Sequence, residues 1–541
     1  MVKGEKLREK AVDQWTRELP VKAVRGDIYD ANGVLLAGSE GSYCVYIRTR
    51  SVKDPEKTAE LLAEKLNTDG DALLKKIKNA GSGEITVKRS VEAETIKELS
   101  KTRLDGVYFA PDNTRVYPFC DMLCQTLGYT STDGSGQAGI EKYYDNYLRG
   151  EDGEILYERD LTGKDVSGAE PHYVEAKNGY SLKLTIDSEI QLICEGAIKR
   201  TALRYNPRRA AVVVLQPKSG KILALCCYPS FDLNSVPRED NFKLTFNGRN
   251  SVVCDSYEPG STFKVVTASA DVEEYFNGNK NAFSLEHIYN SSRYRVVSGR
   301  KIKCWSSHVN GKHSNENLAA ALNNSCNPVF VDIALALGKN KMYEYIEKYN
   351  FGSVTGVDIN GEATGMLIPK GAVTEGDLAR IGFGQTIAVT QLQLAAAISA
   401  AVNGGVYYQP YLLDEVLSEG KTLLKNQPVK KNRVISEKAS AVMASFLEGV
   451  VKDGSGKQAY IEGYKVGGKT GTAQKYENGV IASGKYVMSF AGFFPSDNPE
   501  YLALVTVDEP VGGTYGSTVA APVCREIFEG IINAKDIKKF E

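Results

Sequence analysis

Two periods of apolar residues run through this chain. Between residues 54 and 79, Leu61, Leu62 and Leu66 recur at helical spacing, and the segment predicts two short amphipathic helices. Ile28-Tyr29 and Val34-Leu35-Leu36 flank Asp30-Ala31-Asn32-Gly33, which predicts a strand, a tight turn and a second strand. Asp133-Gly134-Ser135-Gly136 reads as a loop ahead of Ile140-Glu141. After Asn178-Gly179 the texture changes. Leu182 to Ile186 alternates as a strand, and Ser188 to Leu203 carries a helical period. Ala210 to Leu215, continuously apolar, and Gly220 to Leu225, apolar from Ile222 on, predict buried strands joined by the Pro217-Lys218-Ser219-Gly220 turn. Helices dominate from Ser261 to Val450, Ser489–Phe494 and Tyr501–Asp508 predict paired strands, and Val519–Ala534 predicts a closing helix. Strands first, helices in the middle and strands last predict an α/β (α+β) domain over residues 181–541 whose sheet is built from both ends of its sequence. Residues 1–180 form a separate module, and no internal repeat is visible.

Composition agrees with two or three domains. A chain of 541 residues exceeds one ordinary core, and 42% apolar with 25% charged residues is the make-up of a folded globular protein. The 66 basic and 67 acidic residues leave a net charge of −1, which gives no reason to propose nucleic acid as a partner. No apolar run reaches the length of about 18 residues needed for a membrane span. Met1-Val2-Lys3-Gly4-Glu5-Lys6 leads into charged sequence with no signal-peptide pattern. Ten cysteines in this length are too sparse for a disulfide scaffold, and most are expected to be small buried apolar residues.

Three short motifs carry the chemistry. Ser261-Thr262-Phe263-Lys264 opens a predicted helix, Ser325-Cys326-Asn327 follows a helix ending near Asn323, and Lys469-Thr470-Gly471-Thr472 begins a strand after Gly467-Gly468. A lysine three residues after a serine lies on the same helix face, one turn away. Desolvated and near other cations, its amine is neutral enough to take the hydroxyl proton. Ser325 and Asn327 supply a hydroxyl and an amide for proton relay and for holding a peptide. Lys469 brings positive charge for a carboxylate, which Thr470 and Thr472 can hydrogen-bond. The backbone N–H groups of Ser261 and Thr472 are the expected oxyanion donors, and Gly471 allows close approach. Each motif alone is weak, since Ser-x-x-Lys arises by chance in most chains of this size. All three in order make coincidence improbable. The set matches the triplet of penicillin-binding proteins and class A β-lactamases, with Cys326 where that triplet has Asp.

These residues resemble the class B penicillin-binding proteins, and the likeness extends beyond the motifs. Arg25 to Gly33 (Ala31 replacing the usual Arg), Arg115-Val116-Tyr117-Pro118 and Gly139 to Tyr143 resemble the non-catalytic module of that class. Leu184 to Asp187, Gly220 to Ala224 and Tyr257 to Ser261 continue it into the second domain. The resemblance implies a penicillin-binding transpeptidase fold, an antiparallel sheet flanked by helices on an elongated, mostly β N-terminal pedestal or dimerisation module. It implies a D,D-transpeptidase that acylates Ser261 with a peptidoglycan stem peptide ending in D-Ala-D-Ala, releases D-alanine and is blocked by β-lactams. It further implies a place on the extracytoplasmic face of a bacterial membrane, held by an anchor expected to have been removed from this chain, and a membrane glycosyltransferase as partner. Cys304-Trp305 and His313 ahead of Ser325-Cys326-Asn327-Pro328 look most like division- or sporulation-type members.

Two rivals share the motifs. A β-lactamase or D,D-carboxypeptidase would use the same serine, but no group for activating a deacylating water is visible and a β-lactamase has no use for the pedestal. A β-lactam sensor or scaffold without turnover would not need the intact Lys264 and Lys469-Thr470-Gly471. No cofactor is required for catalysis. Cys304, His308 and His313, with Cys254 or Asp255 as a fourth ligand, have spacing compatible with structural zinc, against the plain reading of a packed cysteine and solvated histidines.

Overall fold

In the run Ala210 to Leu215 every side chain is buried, because the strand has helices on both faces. Ala211, Val213 and Leu215 join one core with Phe263, Val266 and Leu394, while Ala210, Val212 and Val214 join another with Ile190, Ile198, Ile527 and Phe528. That double burial is why the strand reads as a continuous apolar run. The computed structural model describes residues 16–81, 83–158, 172–305, 315–477, 480–513 and 515–539. Its central sheet is antiparallel and five-stranded, ordered Ile222–Tyr228, Arg209–Leu215, Tyr501–Asp508, Val480–Phe494, Gly467–Glu477. Both ends of the C-terminal region therefore supply strands. Helices Ser188–Tyr205 and Gly516–Ala534 cover one face, and Lys264–Phe276 and Gln391–Val402 the other. Gln391–Val402 is buried along its whole length and starts on a capping box between Thr390 and Gln393. The strand Gly467–Glu477 is the edge strand, and its unpaired side faces the motifs.

In the N-terminal module, helices Pro55–Leu66 and Gly70–Asn79 are capped by Asp54 and Asp69, whose carboxylates accept from the backbone N–H of Lys57 and Ala72. They bury Leu62, Leu66, Leu73 and Ile77 against Val45 and Ile47 of the long strand Leu35–Arg48. The Asp30–Gly33 turn forms as expected, with Ile28 opposite Ala37.

The module is knitted to the rest. Ile28–Tyr29 pairs in parallel with Ser181–Leu184, which pairs with Leu413–Ser418, so one seven-stranded sheet takes strands from both sides of residue 180. The Asp30 carboxylate accepts from the backbone N–H groups of Asn32, Val34 and Ser188 and from the Ser188 hydroxyl. Glu141, wholly buried, takes Arg25 Nε on one oxygen and Arg115 Nε on the other, both at 2.6 Å. Removing one partner of such a cluster strands buried charge, so Glu141→Ala is expected to cost about 3–5 kcal/mol. Urea unfolding checks this; a loss under 1 kcal/mol would show that the network carries little.

The helical middle holds an unexpected hairpin, Tyr294–Val297 with Arg300–Lys303. Its turn residues Ser298 and Gly299 both have positive φ, the geometry that two-residue hairpins favour.

Candidate active site

Pro259 leads into Gly260, whose φ of 56° fits a glycine; a Cβ there would lie 3.2 Å from the Thr472 carbonyl oxygen. Gly260 N–H donates to the Gly384 carbonyl at 2.9 Å, tying the turn to a second loop. Gly260–Phe263 is a 3₁₀ turn and the α-helix begins only at Lys264. Ser261 thus sits on a tight turn rather than in a regular first helical turn, a difference that follows from the close packing of Gly260 on the edge strand. Its side chain is half-buried, and among the described residues its hydroxyl makes no hydrogen bond.

The structure brings the three motifs together. Lys264, fully buried, donates to the Ser325 carbonyl at 2.7 Å, Ser325 Oγ at 3.1 Å and Asn327 Oδ1 at 2.7 Å. Lys469, also buried, reaches Ser325 Oγ from the edge strand at 3.0 Å. One hydroxyl therefore stands between two buried amines. Burial pulls Lys264 down to about 8, and burial together with the charge of Lys264 pulls Lys469 well below the ordinary lysine range. Two dehydrated amines sharing a hydroxyl cannot both hold a proton cheaply.

The rest of the strand motif lines the same cleft. The Thr470 hydroxyl lies 3.2 Å from that of Ser455, and the Thr472 hydroxyl accepts from Gly516 N–H at 3.0 Å. A Cβ at Gly471 would stand 2.3 Å from Ser489 Oγ and 3.1 Å from the Pro259 carbonyl, so only glycine lets the strand approach the nucleophile turn. Cys326 packs against Cys304, and that hydrogen bond, with burial second, holds its thiol far above the ordinary cysteine range. Trp305 donates its indole N–H to the Asn324 carbonyl at 2.9 Å and stacks edge-on with Tyr515.

The set expected for zinc is not assembled by the described residues. His308 and His313 lie outside them. Cys254 lies against Gly361, and Asp255 is ion-paired with Arg249, whereas Cys304 sits beside Cys326. Among the described residues no three His, Cys, Asp or Glu side chains are grouped to hold a metal ion. Cys304, Cys254 and Asp255 therefore form no ligand set by themselves.

The penicillin binding protein transpeptidase domain model matches residues 210–529, more than half of the chain. The chain belongs to the penicillin-binding protein transpeptidase family. Residues 20–184 of this transpeptidase match the penicillin-binding protein dimerisation domain. It is 39% identical to stage V sporulation protein D of Bacillus subtilis, over 99% of this chain and 82% of the relative. It is 26% identical to peptidoglycan D,D-transpeptidase FtsI of Escherichia coli, over 96% of this chain and 85% of that one. The crystal structure of a peptidoglycan synthetase from Bifidobacterium adolescentis superposes with a TM-score of 0.77 at 26% identity, covering 97% of this chain and 98% of that one.

Sequence reasoning missed two supports of this transpeptidase's cleft. Ser455, beside Thr470, belongs to a Ser-Gly pair that looks like any turn. The loop Gly382-Phe383-Gly384 braces Gly260, and its paired glycines were the only signal.

Proposed function

We propose that this transpeptidase cross-links peptidoglycan stem peptides through an acyl-enzyme on Ser261. The observation that carries the reading is the Ser325 hydroxyl held between the amines of Lys264 and Lys469. Lys264, neutral above about pH 8, takes the Ser261 proton as Oγ attacks the penultimate D-alanine carbonyl. The backbone N–H groups of Ser261 and Thr472 receive the oxyanion. As the C–N bond breaks, Ser325 Oγ passes a proton between Lys264 and the departing D-alanine amine. Lys469, Thr470 and Thr472 hold the terminal carboxylate, and Asn327 orients the peptide and fixes the Lys264 amine. The acyl group then passes to the amine of a neighbouring stem, which restores the Ser261 hydroxyl. β-Lactams enter as mimics of the donor and remain on Ser261.

The likeness to stage V sporulation protein D supports a sporulation-type role. Work on peptidoglycan supports a place on the extracytoplasmic face of the membrane beside a glycan-polymerising glycosyltransferase. Among the described residues no helix is long and apolar enough to cross a membrane, so the anchor belongs to the proposal.

Incubation with a stem-peptide thioester and an amine acceptor tests the reading. Cross-linked product is expected. Hydrolysis alone would indicate a carboxypeptidase, and a stable penicillin adduct without any turnover would indicate a sensor or scaffold. The structural zinc on Cys304, His308 and His313 is tested separately by metal analysis. About one equivalent is expected in the wild type and none in Cys304→Ser, and a metal-free wild type ends the idea.

A further inference from the structure

Past Thr472 the edge strand runs through Ala473 and Gln474 to Lys475, where a cavity of about 530 Å³ opens. It lies where the strand Arg209–Leu215 begins and the strand Tyr501–Asp508 ends. Arg208, Arg209, Arg249 and Lys475 line it, against Asp255 and Asp508. Most of these charges are committed. Lys475 is bonded to Asp508 at 2.8 and 2.9 Å and to Glu509 at 2.7 Å, and Arg249 takes Asp255 and the Cys254 carbonyl.

Arg208 and Arg209 are the exceptions, and of the two only Arg209 is largely buried, Arg208 being 55% exposed and 3.8 Å from Glu509. The Arg209 side chain is only 12% exposed and its guanidinium lies over the Phe246 ring at 3.9 Å. The carboxylate facing it, Asp255 Oδ2, stands 3.9 Å away, outside hydrogen-bond range. Among the described residues its side chain makes no hydrogen bond. Burial pulls it below the ordinary arginine range despite Asp255. A guanidinium dehydrated on one face, oriented by an aromatic ring and lacking an acceptor is a preorganised fork for an oxyanion. The plain alternative is a packing arginine whose free edge is satisfied by water.

A neighbouring cavity lies between the Arg209 cavity and the residues that flank the cleft. This second cavity, of about 430 Å³, shares Ser256, Tyr257, Lys475 and Val487 with the first and also touches Glu258, Thr386, Ala473 and Gln474. From Thr472 to Lys475 is about 10 Å along the strand, and the Arg209 backbone lies three strands further across the sheet, about 14 Å, a gap spanned by the cavity that Lys475 and Arg209 both line. With the terminal carboxylate at Lys469 and the scissile carbonyl at Thr472, the N-terminal part of the donor runs toward Lys475. We propose that the Arg209 cavity binds a carboxylate carried by the acyl-donor peptide at least three residues before the bond that Ser261 attacks. This rests on the transpeptidase reading above.

The test compares two thioester donors, one with a free carboxylate at that position and one with the carboxamide, on wild type, Arg209→Gln and Arg209→Lys. Acylation of Ser261 by benzylpenicillin serves as the control. The wild type is expected to favour the carboxylate donor by roughly 10- to 100-fold in kcat/KM, the range of a charged hydrogen-bonded pair. In Arg209→Gln the preference should fall to near unity, with penicillin acylation unchanged, and Arg209→Lys should keep part of it. Equal use of both donors by the wild type overturns the proposal without any variant, and so does a preference that survives Arg209→Gln. Inorganic phosphate at constant ionic strength separates the sources of anion. Competition with the carboxylate donor but not with the carboxamide supports a substrate site; stabilisation lost in Arg209→Gln without competition identifies a free-anion site and overturns it. Failure of the wild type to react with penicillin would instead strike at Ser261.

Discussion

Alanine at position 261 abolishes covalent capture of a penicillin. In mass spectrometry the wild type gains the mass of a fluorescent penicillin on the peptide carrying Ser261, and Ser261→Ala gains none. The expected loss in acylation rate is about 10⁴-fold or more, because removing the attacking atom of a cooperative serine apparatus leaves only binding and oxyanion stabilisation. The surroundings of the hydroxyl argue for this position and no other. Ser261 sits on a turn pinned by Gly260 to Gly384 and packed on Thr472, with its Oγ uncommitted among the described residues. An adduct of equal stoichiometry on the variant, at any other residue, would sink the assignment.

Removing the Lys264 amine has the second-largest effect. Lys264→Met is expected to lower acylation by about 10² to 10⁴-fold, the range of a lost general base. The wild-type rate should rise with pH through about 8 as Lys264 sheds its proton, and the variant should lack that rise. The same group affects stability with a definite sign. Its folded value lies below the ordinary 10.5, so between about 8 and 10.5 the unfolded chain binds more protons than the folded one. Stability contributed by Lys264 therefore increases with pH across that window, and below about 8 the cost of the buried charge is present in full. Lys469 is shifted in the same direction and adds the same sign. Chemical denaturation at several pH values should show a shallower rise in Lys264→Met; identical slopes would mean that the amine is not dehydrated in solution.

Much of this is legible in the sequence. The strands around Ala211 and Leu504 and the two helices between residues 54 and 79 are written in local periodicity, which a short window contains. The three motifs could be read because they keep their order and residue types. The hairpin at Tyr294–Lys303 was missed because its strands, Tyr294–Val297 and Arg300–Lys303, are short and largely exposed, so neither has a period to reveal it. The zinc grouping rests on His308 and His313, which lie outside the described residues. Cys254 is close to the nucleophile in sequence, and the chain places it beside Gly361 and Asp255 beside Arg249, whereas Cys304 sits beside Cys326.

Residue types and spacing determined which groups this protein brings to its chemistry: a serine, two lysines and a glycine that admits close approach. The tertiary structure decided how those groups behave. Ser325 meets Lys264 across 61 residues and Lys469 across 144, and the depressed lysines exist only because packing removes water from both amines at once. Arg209 looks like any surface arginine in the sequence until Phe246 and the cavity wall fix it with no hydrogen-bond acceptor among the described residues. Dehydration and proximity are properties of the packed molecule, since both depend on partners that no short stretch of chain contains.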